Sequence, residues 1–162
     1  MRLLGIIASA LNVVVCSIPI NWWYTNIGGI IKLLDSPFQI SLILFGNDYT
    51  NNLLFPINLV LFGLRLYIII LNILNIYYIF KGTKVISLFI FWSFIFYLVE
   101  SLLFFIISYI TLGNYIIPIG SYIIENSTPS YEMSLLVENY PTFVYYLAGV
   151  AGITSLVYKI RK

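Results

Sequence analysis

The chain has 162 residues, of which 61% are hydrophobic, 18% aromatic and only 9% charged, with a net charge of +2. That leaves too little polar surface to cover a soluble globule, so the chain reads as a single membrane domain, and it carries no basic patch for nucleic acid. Histidine is absent and Cys16 is the sole cysteine, which excludes an intramolecular disulfide, a zinc cluster and a histidine-based triad, and with them most familiar enzyme classes.

In chain order, four apolar runs meet the length that a spanning helix requires: about residues 3–20, 57–80, 85–110 and 142–158. Arg2 precedes the first, Lys81 and Lys84 lie in the short loop 81–84, and Lys159, Arg161 and Lys162 follow the last. The long loops 21–56 and 111–141 carry Asp35, Asp48, Glu125, Glu132 and Glu138 against the single Lys32. The positive-inside rule then makes both termini and the short loop cytoplasmic. The expected fold is all-α: a four-transmembrane-helix bundle, multi-pass in the cell membrane.

Two other readings compete. Residues 27–46 form a fifth apolar run, but Lys32, Asp35 and Pro37 interrupt it. The first run has the basic start and apolar stretch of a cleaved signal peptide, without well-placed small residues at a cleavage point. Aromatic residues support the four-span boundaries: Trp22, Trp23 and Tyr24 after the first run, Tyr140, Tyr145 and Tyr146 around the last, and Tyr77, Tyr78 and Tyr158 at the inner ends read as headgroup anchors.

The first outer loop is too apolar for a floppy linker, and its semi-ordered stretch 27–46 is expected to lie along the interface, with short strands where Phe38, Gln39, Ile40 and Ser41 alternate. In the second, Thr128 caps a surface helix that starts at Pro129, has Glu132 in its first turn and runs to about Asn139. Asn126, Ser127 and Thr128 form a glycosylation sequon on the expected outer side.

Arg65 stands near the middle of the second run, where an unpaired arginine costs about 2.5–3.5 kcal/mol. Glu100, the only acid in any run, lies as far after the short loop as Arg65 lies before it, so an antiparallel hairpin brings both to one depth. The expected result is an intramembrane ion pair, with Asn12 or Asn58 adding a hydrogen bond. Asn58, Arg65 and Asn72 recur at heptad spacing on one stripe, Tyr97 shares the polar side of the third run with Glu100, and Asn12 sits at matching depth on the first. Together they form a polar layer. Small residues Ala148, Ala151, Gly152 and Ser155 let the last run pack closely.

The layout of two long outer loops, the first semi-apolar, with Pro19, Trp22 and Trp23 straight after the first run, resembles that of claudin-type four-span proteins. It is also similar to small archaeal and bacterial four-span proteins with proline and tryptophan at that exit, and abundant Ile, Asn, Tyr and Phe beside scarce Ala suit an AT-rich archaeal genome. In claudins the first outer loop forms strands and carries a tryptophan motif with a cysteine pair; those cysteines are missing here. The expected function is therefore that of a non-enzymatic integral membrane protein, an accessory, assembly or envelope-interaction subunit. Its expected partners are the bilayer and another membrane protein or further copies of the chain, with no cofactor, metal or catalytic residue. The alternative is a small oligomeric transporter or channel component that uses the Arg65 and Glu100 layer.

Overall fold

The structure, a computed structural model, describes residues 2–82, 88–112, 119–128 and 131–161. Helix α1 (Arg2–Ser17) stops where Pro19 biases Ile18 away from helical geometry. The next segment folds into strands β1 (Trp23–Ile27), β2 (Ile31–Ser36), β3 (Gln39–Leu44) and the two-residue β4 (Asn47–Asp48), then a single turn, α2 (Thr50–Leu53). Helix α3 (Phe55–Lys81) has Pro56 in its first turn, where a missing N–H costs nothing. Helix α4 (Leu88–Leu112), strands β5 (Gly120–Thr128) and β6 (Tyr131–Pro141), and helix α5 (Phe143–Ile160) complete the described chain.

The expected all-α four-span bundle is overturned. Among the described residues five helices stand beside a six-stranded antiparallel sheet of order β4-β3-β2-β1-β6-β5. Among the described residues two helices, α3 and α5, are long and apolar enough to cross a membrane; α1 and the Ser93–Leu103 stretch of α4 are apolar but shorter. Much of the apolar surface of α3 faces outward, with Val60 and Phe80 about 70% exposed, a surface that lipid covers and water does not. The chain is on this ground membrane-associated. Lys84, Pro129 and Lys162 lie outside the described residues.

The sheet draws on both long loops. β1 pairs with β2 on one side and with β6 on the other, so that Trp23 stands between Asp35 and Pro141 and Ile27 between Ile31 and Val137. The expected surface helix after Thr128 is overturned by this pairing: residues 131–139 form a hairpin ladder with β5 and residues 137–141 a second one with β1, and the two together outweigh the capping signal. The stretch 27–46, expected semi-ordered, is a β-meander. Gly28 turns it at φ 57°, a left-handed conformation that favours glycine.

Alternation assigns the two faces. Trp23, Thr25, Ile27, Leu33, Asp35, Val137 and Asn139 share one, on which Trp23, Val137 and Asn139 are almost fully buried. Tyr24, Asn26, Lys32, Leu34, Leu136, Glu138 and Tyr140 share the other, where Asn26 donates to Glu138 at 2.9 Å and Leu136 and Tyr140 are exposed.

Among the helices, α3 lies on α1, α1 on α5 and α5 on α4, while α3 and α4 make little contact with each other. Successive turns of α1 meet successive turns of α3: Gly5 faces Ile79, Ser9 bonds Asn75, and Asn12 bonds Asn72. α5 and α4 match likewise, through Gly152 against Phe94, Gly149 against Tyr97 and Tyr145 against Ser101. Gly5 is the tightest point, since a Cβ there would stand 2.7 Å from the Tyr158 ring and 2.9 Å from Ile79. Gly5→Val should therefore destabilise the protein by about 1–3 kcal/mol through overpacking. Gly63→Ala, with nothing within 4 Å of its Cβ, should be neutral or gain up to about 1 kcal/mol of helix propensity. Thermal unfolding in detergent checks both, and equal losses would contradict the close approach at Gly5.

Candidate functional site

The polar residues of the helices collect into one chain of hydrogen bonds. Asn12 Nδ2 of α1 reaches Asn72 Oδ1 of α3 at 3.3 Å and Ser155 Oγ of α5 at 3.2 Å, and Ser93 Oγ of α4 reaches Ser155 Oγ at 3.3 Å. Asn72 also donates to the Ile68 carbonyl at 2.9 Å, and one level lower Asn75 donates to Ser9 at 2.7 Å. Asn12, Asn72, Asn75, Ser9 and Ser155 are all buried, so each bond replaces water that hydrocarbon surroundings do not supply. Beside Asn12 and Ser93 lies a cavity of about 20 Å³, room for one water, also lined by Val15, Trp22, Phe38 and Ile68.

Arg65 does not join this chain, and the structure does not pair it with Glu100. Its Nη2 donates to the Ile18 carbonyl at 2.8 Å and its Nε to the Cys16 carbonyl. These carbonyls lie at the C-terminal end of α1, where intrahelical donors run out and the helix dipole is negative. The guanidinium supplies the missing donors and the matching charge, so the partner expected of a carboxylate is a helix end. Arg65 therefore marks the level at which α1 stops. α3 continues past it by residues 55–64, about 15 Å, and α4 continues past Glu100 by a similar length, about 18 Å.

On that extension Asn58 meets the sheet rather than the polar layer. Its Oδ1 accepts from the Ile40 N–H and its Nδ2 donates to the Ile40 carbonyl, both at 2.8 Å, a side-chain amide clamped on a strand as another strand would be. Tyr97 enters an aromatic cluster under the sheet. Its ring centroid lies 4.8 Å from Tyr145 and 6.4 Å from Trp22, and Tyr145 lies 4.7 Å from Trp23 and bonds Ser101 through its hydroxyl at 2.7 Å. Trp22 meets Phe38 edge-on at 6.1 Å. Trp22, Trp23 and Tyr145, read from the sequence as headgroup anchors, form with Tyr97 and Phe38 the joint between sheet and helices.

Glu100 belongs to the same joint. Its Oε1 is buried without a hydrogen-bond partner, and its carboxyl lies within electrostatic reach of Asp35 on β2. Burial pushes the Asp35 carboxyl up to about 6, against the Ser36 amide that donates to it. Asp35 escaped the sequence reading because an acid in a loop between spans reads as solvated; its burial follows from strand register, which no local pattern carries. Asn126 falls on β5, opposite Met133. Among the described residues no cluster of three metal-ligating side chains occurs.

Comparison with family models, with curated proteins and with solved structures finds no match to this chain.

If Arg65 serves as a helix cap, Arg65→Met should cost about 2–3 kcal/mol, the scale of hydrogen bonds made by a charged group. Combined with Glu100→Gln, the losses should add within about 0.5 kcal/mol, as for sites without a shared bond. Double-mutant unfolding in detergent measures this, and a coupling well above that value would restore the ion pair.

Proposed function

We propose that the chain is a multi-pass integral protein of the cell membrane, without catalytic activity, that presents its sheet on the outer surface as an accessory or assembly subunit for another membrane protein or for further copies of itself. The observation that carries this reading is the sheet itself. Two segments that a simple membrane anchor would spend on linkers form six strands, and one face of them is left uncovered by the helices, with Leu136 and Tyr140 exposed there and Phe45 78% exposed at the turn between β3 and β4. Phe45 holds φ 51°, unusual for a bulky residue. The basic residues Arg2, Lys81, Lys159 and Arg161 gather at the opposite end, where Arg2 approaches Gly82, and the positive-inside rule supports an outer position for the sheet.

The resemblance to claudin-type proteins is proposed here at the level of layout. A sheet drawn from the segment after α1 and from the segment before α5, with Trp22 and Trp23 at its root, supports it. The missing cysteine pair separates the two, and no adhesive activity is carried over. No specific observation favours a transport route: Arg65 is committed to carbonyls of α1.

Photo-crosslinking side chains placed at Phe45, Leu136 and Tyr140, with Val150 and Ile153 on the exposed side of α5 as controls, test the proposal in native membranes. The expected outcome is one discrete protein adduct from the sheet positions and lipid adducts from the controls. Lipid or no adducts from all five positions would sink the presenting role.

A further inference from the structure

Each layer of the protein contains one acid out of place. By register, Asp35 is the only charged residue on the helix-facing side of the described strands, where it stands between Trp23 and Ile40. Glu100 is the only acidic residue in the described helices. The fold brings these two to one joint: Phe38, three residues after Asp35, meets Phe96, one turn before Glu100, with ring centroids 6.4 Å apart, and Trp23, paired with Asp35, meets Tyr145, which bonds Ser101 next to Glu100. Among the described residues no partner of opposite charge comes with them. Lys32, three residues before Asp35 on the same strand, points to the other face. Arg65 of α3 is bound to the Cys16 and Ile18 carbonyls. From α5 the joint receives Tyr145, bonded to Ser101, and from α4 it receives Tyr97 stacked on Tyr145; the neighbours on β1 and β3 are Trp23 and Ile40. The surroundings of the two carboxyls are thus aromatic, aliphatic or neutral polar.

Two carboxylates in such surroundings cannot both ionise without mutual repulsion that little water screens. We infer that Asp35 and Glu100 hold one proton between them and form an acid-dependent latch that closes the sheet onto α4. With the proton present, one carboxyl donates to the other and the buried Oε1 of Glu100 gains its missing partner. When the proton leaves to solvent, two anions face each other across the joint, and β2 is pushed away from α4. Asp35 binds its proton more readily in the folded chain than in the unfolded one. Its stabilising contribution is therefore complete below the ordinary carboxylate range and is lost as pH rises through about 6. The inference is independent of which partner the sheet meets.

Hydrogen exchange of the full chain in lipid nanodiscs tests it. After correction for intrinsic rates, amides of β1 and β2 should exchange roughly tenfold faster at about pH 8 than at about pH 5, the change that one unit of proton affinity produces. Glu100→Gln and Asp35→Asn should each flatten that dependence. Infrared spectra of the wild-type protein provide a second readout that needs no variant: at about pH 5 a protonated carboxyl stretch should be present, and it should vanish at alkaline pH together with β1 and β2 protection. A pH-independent exchange pattern, an unchanged dependence in both variants, or absence of the protonated stretch at about pH 5 would each overturn the latch.

Discussion

The pairing of β1 with β6 is the constraint on which the rest of the structure depends. It joins residues 23–27 to residues 137–141 in register, and without it the meander β1–β4 and the hairpin β5–β6 are separate pieces, neither with a second layer of its own. The join is continued into the helices. The Thr142 N–H donates to the Trp22 carbonyl at 2.7 Å and its hydroxyl to the Asn21 carbonyl at 2.6 Å, while the Trp22 N–H donates to the Asp35 carbonyl at 2.8 Å. Below these bonds α1 and α5 pack side by side; above them β1 and β6 pair. Two rods, each part helix and part strand, run antiparallel, and the other described elements are attached to them directly or through a neighbour.

This arrangement accounts for the unequal helices. α1 and α5, with 16 and 18 residues, stop where the strands begin, whereas α3 and α4, with 27 and 25, continue beside the sheet. A side chain in the middle of α3 by sequence is thus at the end of α1 in space, and there the chemistry of an exhausted helix terminus applies. Arg65 answers that chemistry with donors to two carbonyls, and Asn58, farther along, answers a strand backbone with one donor and one acceptor.

The sequence makes the helices legible and leaves the sheet largely hidden. The apolar runs mark the helices because length and hydropathy are local properties, and the heptad spacing of Asn58, Arg65 and Asn72 correctly groups them on one side of α3. It does not tell what that side meets, and the three reach a strand, a helix end and a neighbouring asparagine respectively. Residues 131–141 show the limit most clearly. Their capping signal is local, and it competes with two ladders: a hairpin with β5 close by in the chain and a pairing with β1 more than a hundred positions away, which no local pattern carries. Asp35 is of the same kind, an acid whose burial depends on register alone.

The β1–β6 pairing also sets an order of events during synthesis. The strands β1 to β4 emerge early and can form their own hairpins, but the free edge of β1 must wait until residues 137–141 have been made, because its partner is the strand before α5. Closing so long a loop adds little to the entropy already lost, since that cost grows only with the logarithm of length, yet it delays the contact. Throughout that interval β1 exposes unpaired N–H and C=O groups beside Trp22 and Trp23, a ready template for another chain. Strand β6 is in this sense a clasp, and a nascent chain is vulnerable to mispairing until it shuts.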